Sequence, residues 1–110
     1  MEENIFKVGD LCKHFKGENL SQKNIYKIIA VNVTYSGDKS QEPLNNLVVY
    51  ENIFQSGKTF VREYKDLVEE LSKEKQNKYN QKYRVEKLTK EEMELINTDK
   101  FKKEKLELQK

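Results

Sequence analysis

Asn24-Ile25-Tyr26-Lys27-Ile28-Ile29-Ala30-Val31-Asn32-Val33-Thr34-Tyr35 carries the strongest strand signal in the chain. Ile25, Ile29, Val31, Val33 and Tyr35 fall on one face at period two, and Tyr26, Ile28 and Ala30 on the other. A strand that is apolar on both faces through its first half belongs at the centre of a sheet, curled over the core. Shorter signals flank it. Residues 10–15 are short and mixed, and residues 46–54 set Val48, Tyr50 and Phe54 against Leu47, Val49 and Ile53. Residues 58–64 follow Gln55-Ser56-Gly57, a glycine-ended turn that signals a hairpin, and a fifth strand is expected at 83–88.

Short strands joined by turns rich in Gly, Asn and Ser predict a mainly β fold: a small antiparallel five-stranded barrel with a C-terminal α-helix. Residues 36–45 are polar, hold the only proline, Pro43, and read as an exposed loop. Gly17, after Lys16, supplies a turn position open to positive φ. Residues 66–71 fit one helical turn with Leu67, Val68 and Leu71 inward. Beyond residue 88 the character changes. Thr89-Lys90-Glu91-Glu92 fits a capping box, followed by Met93 and Ile96 on a short apolar face. Residues 97–110 are dominated by Lys and Glu, with Phe101, Leu106 and Leu108 as their few apolar anchors, and read as a frayed helix or a loose tail. The organisation expected is a barrel domain over 6–88 and a C-terminal helix with a charged tail over 89–110.

The 110 residues make one domain by length. Hydrophobic residues are 35% of the chain and charged residues 36%, against typical values of roughly 45–50% and about 25%, so the core is small. Twenty-one basic and nineteen acidic residues give a net charge of +2, too balanced for strong steering toward nucleic acid. Cys12 is the single cysteine, which rules out an internal disulfide and a cysteine-based zinc site within one chain. No signal-peptide layout and no apolar run of roughly 20 residues is present, which reads as a cytoplasmic protein without a membrane partner.

Three strings stand out in order: Lys13-His14-Phe15-Lys16-Gly17, Leu47-Val48-Val49-Tyr50 and Phe60-Val61-Arg62. With Tyr26 and Leu67-Val68-Glu69 they resemble the bacterial domain of unknown function 1653 family over roughly residues 7 to 88. The chain departs from that pattern at Glu63, where the family usually has proline, and in the longer, histidine-free segment 36–45. Arg84-Val85 matches the closing strand only in part. The resemblance implies an SH3-like small barrel, and brings no substrate, cofactor or catalytic residue with it.

His14 is the only histidine, and no cysteine pair or Glu-x-x-His spacing accompanies it, so no metal or cofactor site is expected. Cys12 shares its strand face, which permits a Cys–His dyad. A cysteine on a short strand is more often a small buried hydrophobe, and the catalytic reading ranks last. Arg62 shares a face with Phe60 and Tyr64. It is read either as an intrachain partner of Glu51 or Glu63, or as a ligand-facing fork in an aromatic groove of Tyr26, Tyr50 and Phe60. His14 and Lys16 complete that candidate binding set. Lys73, Lys75, Lys78, Lys82 and Arg84, interleaved with Tyr79 and Tyr83, form a rival nucleic-acid surface, whose bland reading is a solvated loop. The residues therefore favour a non-catalytic module binding a protein or peptide, with nucleic acid as the alternative and an enzyme third.

Overall fold

A computed structural model of the chain describes residues 5–37, 43–55 and 57–108. Half of the loop expected at 36–45, the middle of the turn before residue 58 and the end of the tail lie outside them. The strands are β1 (Leu11–His14), β2 (Ile25–Tyr35), β3 (Leu44–Asn52), β4 (Thr59–Glu63) and β5 (Val85–Lys87). The helices are α1 (Tyr64–Leu67), α2 (Lys73–Tyr79), α3 (Lys90–Ile96) and α4 (Asp99–Leu108). All strand pairs are antiparallel, in the order β4-β3-β2-β1-β5. The mainly β reading with five antiparallel strands and C-terminal helical structure holds. The strands form an open sheet with β4 and β5 as its edges, not a closed ring.

The two apolar faces of β2 explain its central place. Tyr26 and Ile28 join one core with Phe6, Cys12, Val48, Tyr50, Tyr64, Leu67 and Val85. Ile25 joins a second core on the other face, with Leu88, Ile96 and Phe101. Each aliphatic side chain buried this fully stabilises the fold by roughly 1.5–3 kcal/mol. The regular alternation expected along β2 stops after Ile28. The β2–β3 register shifts three times, and Asn32 and Asn46 both sit at a φ of 54°. Asparagine tolerates this left-handed conformation better than most residues, and the extra residue of a bulge reverses the phase of the side chains beyond it. Val31, expected on the face of Ile25, consequently packs against the core of Tyr26 and Ile28.

Local signals set the other elements. Gly17 has a φ of +122°, and a Cβ there would lie 2.8 Å from the carbonyl carbon of Gln22, so the turn after β1 requires glycine. The capping box at α3 is formed: the Thr89 hydroxyl accepts from the Glu92 N–H at 3.1 Å, and Glu92 accepts from the Thr89 N–H at 2.9 Å. Glu92 also holds the Lys13 ammonium at 2.7 Å, tying α3 to β1. Burial pushes the Glu92 carboxyl up, but the bonds from Lys13 and Thr89 outweigh it and leave it lower than usual. Residues 97–110, read as a frayed helix or loose tail, supply the ten-residue α4, whose Phe101 and Lys105 are buried. The stretch 73–79, read as a loop, is helical between a Ser72 cap and a left-handed Asn80.

Lys23 is only 5% exposed, and its ammonium donates to Phe15 O at 2.8 Å, Tyr79 O at 3.0 Å and Gln81 Oε1 at 3.2 Å. Three acceptors satisfy its three N–H donors. Lys23→Met would strand these acceptors and is expected to lower the unfolding free energy by about 3 kcal/mol. Urea denaturation at unchanged m-value measures the loss, and a change under about 1 kcal/mol would contradict the bonding assigned to Lys23.

Candidate functional site

The antiparallel register brings residues from five chain segments into one line of rings. Tyr50 of β3 lies opposite Phe60 of β4, and Tyr26 of β2 lies opposite Cys12 of β1. The Tyr26 and Tyr50 centroids are 4.7 Å apart, and Phe60 is 5.6 Å from Tyr50 and 5.9 Å from Tyr26. His14 meets Tyr26 edge-on at 6.5 Å and Phe15 at 4.7 Å, and Phe15 meets Tyr79 at 5.3 Å. The line thus runs Tyr79–Phe15–His14–Tyr26–Tyr50–Phe60. Aromatic pairs at these separations contribute about 0.5–1.5 kcal/mol each beyond area burial. Phe15, Tyr26 and Tyr50 are buried, whereas Phe60 is 40% exposed.

Arg62 stands two residues beyond Phe60 on the same side of β4. It is exposed, and among the described residues its side chain makes no hydrogen bond or ion pair. The intrachain pairing considered for it is absent: Glu63 instead meets Lys65 at 3.4 Å. Its charge nevertheless reaches the rings, easing the ionisation of both Tyr26 and Tyr50. Burial dominates over that effect and raises both phenols, Tyr50 to about 12, so they remain hydrogen-bond donors at neutral pH. The candidate set His14, Tyr26, Tyr50, Phe60 and Arg62 is therefore brought together, with Lys16 beside it.

His14 is held neutral. Burial first, then Lys16, Arg84, Arg62 and Lys23, lower it to about 4, and its Nδ1 accepts from the Lys16 N–H at 3.3 Å. No carboxylate contributes to the shift, so the imidazole lies in a positive field with no orienting acid. Cys12 is fully buried, and burial followed by Asp10 pushes its thiol up to about 12 against a smaller opposing effect of Lys87. A catalytic dyad needs a thiolate of low pKa beside a competent base, and both groups are shifted the wrong way. Among the described residues no group of three or more His, Cys, Asp or Glu could hold a metal ion. No described helix is long and apolar enough to cross a membrane.

The basic stretch 73–84 is divided by the fold. Tyr79 packs on Phe15, and Lys75 and Lys78 lie over the Phe15 and Tyr79 rings at 5.7 and 5.3 Å. Lys82 covers Tyr83 and pairs with Glu70 at 3.6 Å, while Arg84 pairs with Glu69 at 3.4 Å. Lys73 is exposed at the start of α2. Phe15, Tyr79 and Arg84 thus extend the ring line, a role that strand periodicity cannot reveal because α2 is not part of the sheet.

The opposite side of β2, β3 and β4 bears an apolar groove of about 610 Å³, lined mainly by Val33, Tyr35, Leu44, Leu47, Val49 and Val61, with Arg62 at its rim. Tyr35 and Val61 are 62% and 56% exposed there. No family model, curated protein or solved structure matches the chain.

Two expectations follow from these pKa shifts. Between pH 6.5 and about 4 the unfolded chain binds a proton at His14 that the folded chain refuses, so stability falls as pH falls through that window. The drop attributable to His14 is about 3 kcal/mol, and His14→Gln should remove it from the pH profile of urea midpoints. An equal slope in both proteins would contradict the neutral, half-buried imidazole. Cys12 should resist thiol reagents at pH 8 in the folded protein and react fully in denaturant, so rapid native labelling would contradict its burial.

Proposed function

We propose that the protein is a non-catalytic binding module that holds a carboxylate-bearing peptide segment of a partner protein on the ring face beside Arg62. The single observation that carries the reading is the exposed Arg62 guanidinium, without an intrachain partner, next to the Tyr26–Tyr50–Phe60 cluster. An arginine fork gives directional donors to a carboxylate, protonated phenols add two more, and open Phe60 offers apolar contact. The positive field at His14 favours an anionic group on the ligand. The reading includes the finer fold assignment, an SH3-like arrangement in which a bent β2 serves both cores, and the membership of the bacterial family that the strings resemble. It also takes the cytoplasm as the place of action.

Nucleic acid is the second reading, and exposed Lys75 and Lys78 over ring faces favour it. Base stacking requires open ring faces, and Phe60 is the main one along the line. Two of the cations in 73–84 are already paired with Glu69 and Glu70. The peptide reading is accordingly the stronger.

Panning a random peptide library on the protein should enrich carboxylate-containing peptides, and Arg62→Ala should weaken the selected peptides about 10- to 100-fold, as for the loss of a charge-assisted bond. Peptides whose affinity ignores Arg62 would overturn the site. Failure to enrich any peptide, with submicromolar binding of single-stranded oligonucleotides that falls steeply with salt, would favour the nucleic-acid reading instead.

A further inference from the structure

We infer that β4 is the dimerisation edge of the protein, pairing antiparallel with β4 of a second copy about a two-fold axis at Val61. Asn52 N–H donates to Lys58 O at 2.9 Å, and the β3–β4 register advances one residue for one. In an antiparallel ladder hydrogen-bonded pairs alternate, so Lys58, Phe60 and Arg62 bond to β3, while Thr59 and Val61 turn their N–H and C=O groups outward and Glu63 its N–H, its C=O being taken as the N-cap of α1. Nothing described covers this edge, whose residues 59 to 62 are all exposed. Such an edge is a template for another strand. The other edge, β5, is three residues long, and its Lys87 pairs with Asp10 at 3.3 Å.

The sequence of β4, Thr59-Phe60-Val61-Arg62-Glu63, complements itself in one register. With Val61 opposite the partner's Val61, the N–H and C=O of Val61 pair with those of its twin, and the N–H of Glu63 meets the C=O of the partner's Thr59. On the ring face Arg62 then stands opposite the partner's Phe60, a cation–π pairing repeated by symmetry. On the other face Val61 meets the partner's Val61 at the rim of the apolar groove, joining two grooves of about 610 Å³ into one floor. Thr59 faces the partner's Glu63, so no like charges oppose each other. A shift by one residue would put Arg62 opposite the partner's Val61 or leave outward groups unmatched. A two-fold contact uses the same patch on both copies, and this strand is suited to it.

The pairing is compatible with ligand binding at Arg62, because guanidinium stacks through its plane and donates through its edge. It does not depend on that binding, and the measurements below need no ligand.

Sedimentation of the full chain at about 100 μM should give a mass near twice the 13.1 kDa of one chain. Val61→Lys sets two ammonium groups face to face and should yield monomers with an unchanged circular dichroism spectrum. Val61→Cys should form a disulfide-linked dimer on mild oxidation, since Cα atoms of a hydrogen-bonded pair lie about 5.5 Å apart, within disulfide range. Lys27→Cys, on an exposed site of β2, should not. A monomeric wild type overturns the inference, as does a dimer that survives Val61→Lys. If Val61→Lys fails to fold, the cysteine pair decides: no cross-link at position 61, or equal cross-linking at 27, refutes the two-fold.

Discussion

The Lys23 ammonium is the interaction on which the rest of the architecture depends. It gathers the end of β1 through Phe15 O, the end of α2 through Tyr79 O, and the following loop through Gln81 Oε1. Gln81 in turn donates to the carbonyls of Lys13, Tyr83 and Arg84, so a single buried amide carries the junction on to β5. A second lysine completes the arrangement: the Lys105 ammonium of α4 donates to the Lys23 carbonyl. Burial lowers both lysines, Lys105 to about 8. Placing two cations inside a domain of 110 residues costs free energy that apolar side chains would not. What the arrangement provides is position. Phe15 and Tyr79, whose carbonyls Lys23 holds, are also the two rings that extend the aromatic line past His14.

That junction also shapes the electrostatics of the candidate site. Lys23, Lys16, Arg84 and Arg62 act together on His14, and none of them is offset there by a carboxylate. An imidazole in such a field gives up its proton and serves as an acceptor for the Lys16 N–H, not as an acid. Donors therefore dominate the ring face: two protonated phenols and a free guanidinium. In the proposed reading these donors are what would meet the carboxylate of the ligand. Cys12 is fixed in the apolar core, its thiol pushed up by burial.

Much of this was legible in the sequence wherever local pattern and tertiary environment agree. The two-faced first half of β2 indicated a central strand because both cores draw on it. The capping box and Gly17 were legible because a hydroxyl, a carboxylate and a missing Cβ act within a few residues. The grouping of Tyr26, Tyr50 and Phe60 was one candidate reading, and the cross-strand register is what brings the three rings together. The remainder depended on contacts distant in the chain. Lys-Glu-Lys-Gln-Asn-Lys-Tyr has no apolar stripe, so α2 was hidden, and only Ser72 before it and Asn80 after it mark its ends. Val31 was assigned to the wrong face because the register shift between Ile28 and Ala30 changes phase without changing composition. Lys23 and Lys105 look like solvated lysines, and their burial depends on acceptors as many as 82 residues away. Arg62 was readable as a fork between two fates. Its freedom from Glu63 was settled by Lys65, which takes that carboxylate.

The bulges also explain why an apolar groove is left open in a chain so poor in apolar residues. Beyond Asn32 and Asn46 the paired ends of β2 and β3 no longer follow the register that carries Ile25 into the second core. That core is filled by Leu88, just after β5, and by Ile96 of α3 and Phe101 of α4. Val33, Tyr35, Leu44 and Val61 are thus left with only the short α1, through Asp66, at the groove they line. A sequence with 35% hydrophobic residues that leaves these uncovered gains nothing from them in the isolated chain. β4 lies between that groove and the ring line, with Val61 on one side and Phe60 and Arg62 on the other. Any strand laid along its edge must present alternate side chains to both faces. Contacts on the groove face therefore fix the register in which Arg62 is met on the ring face, and a single five-residue strand couples the two surfaces.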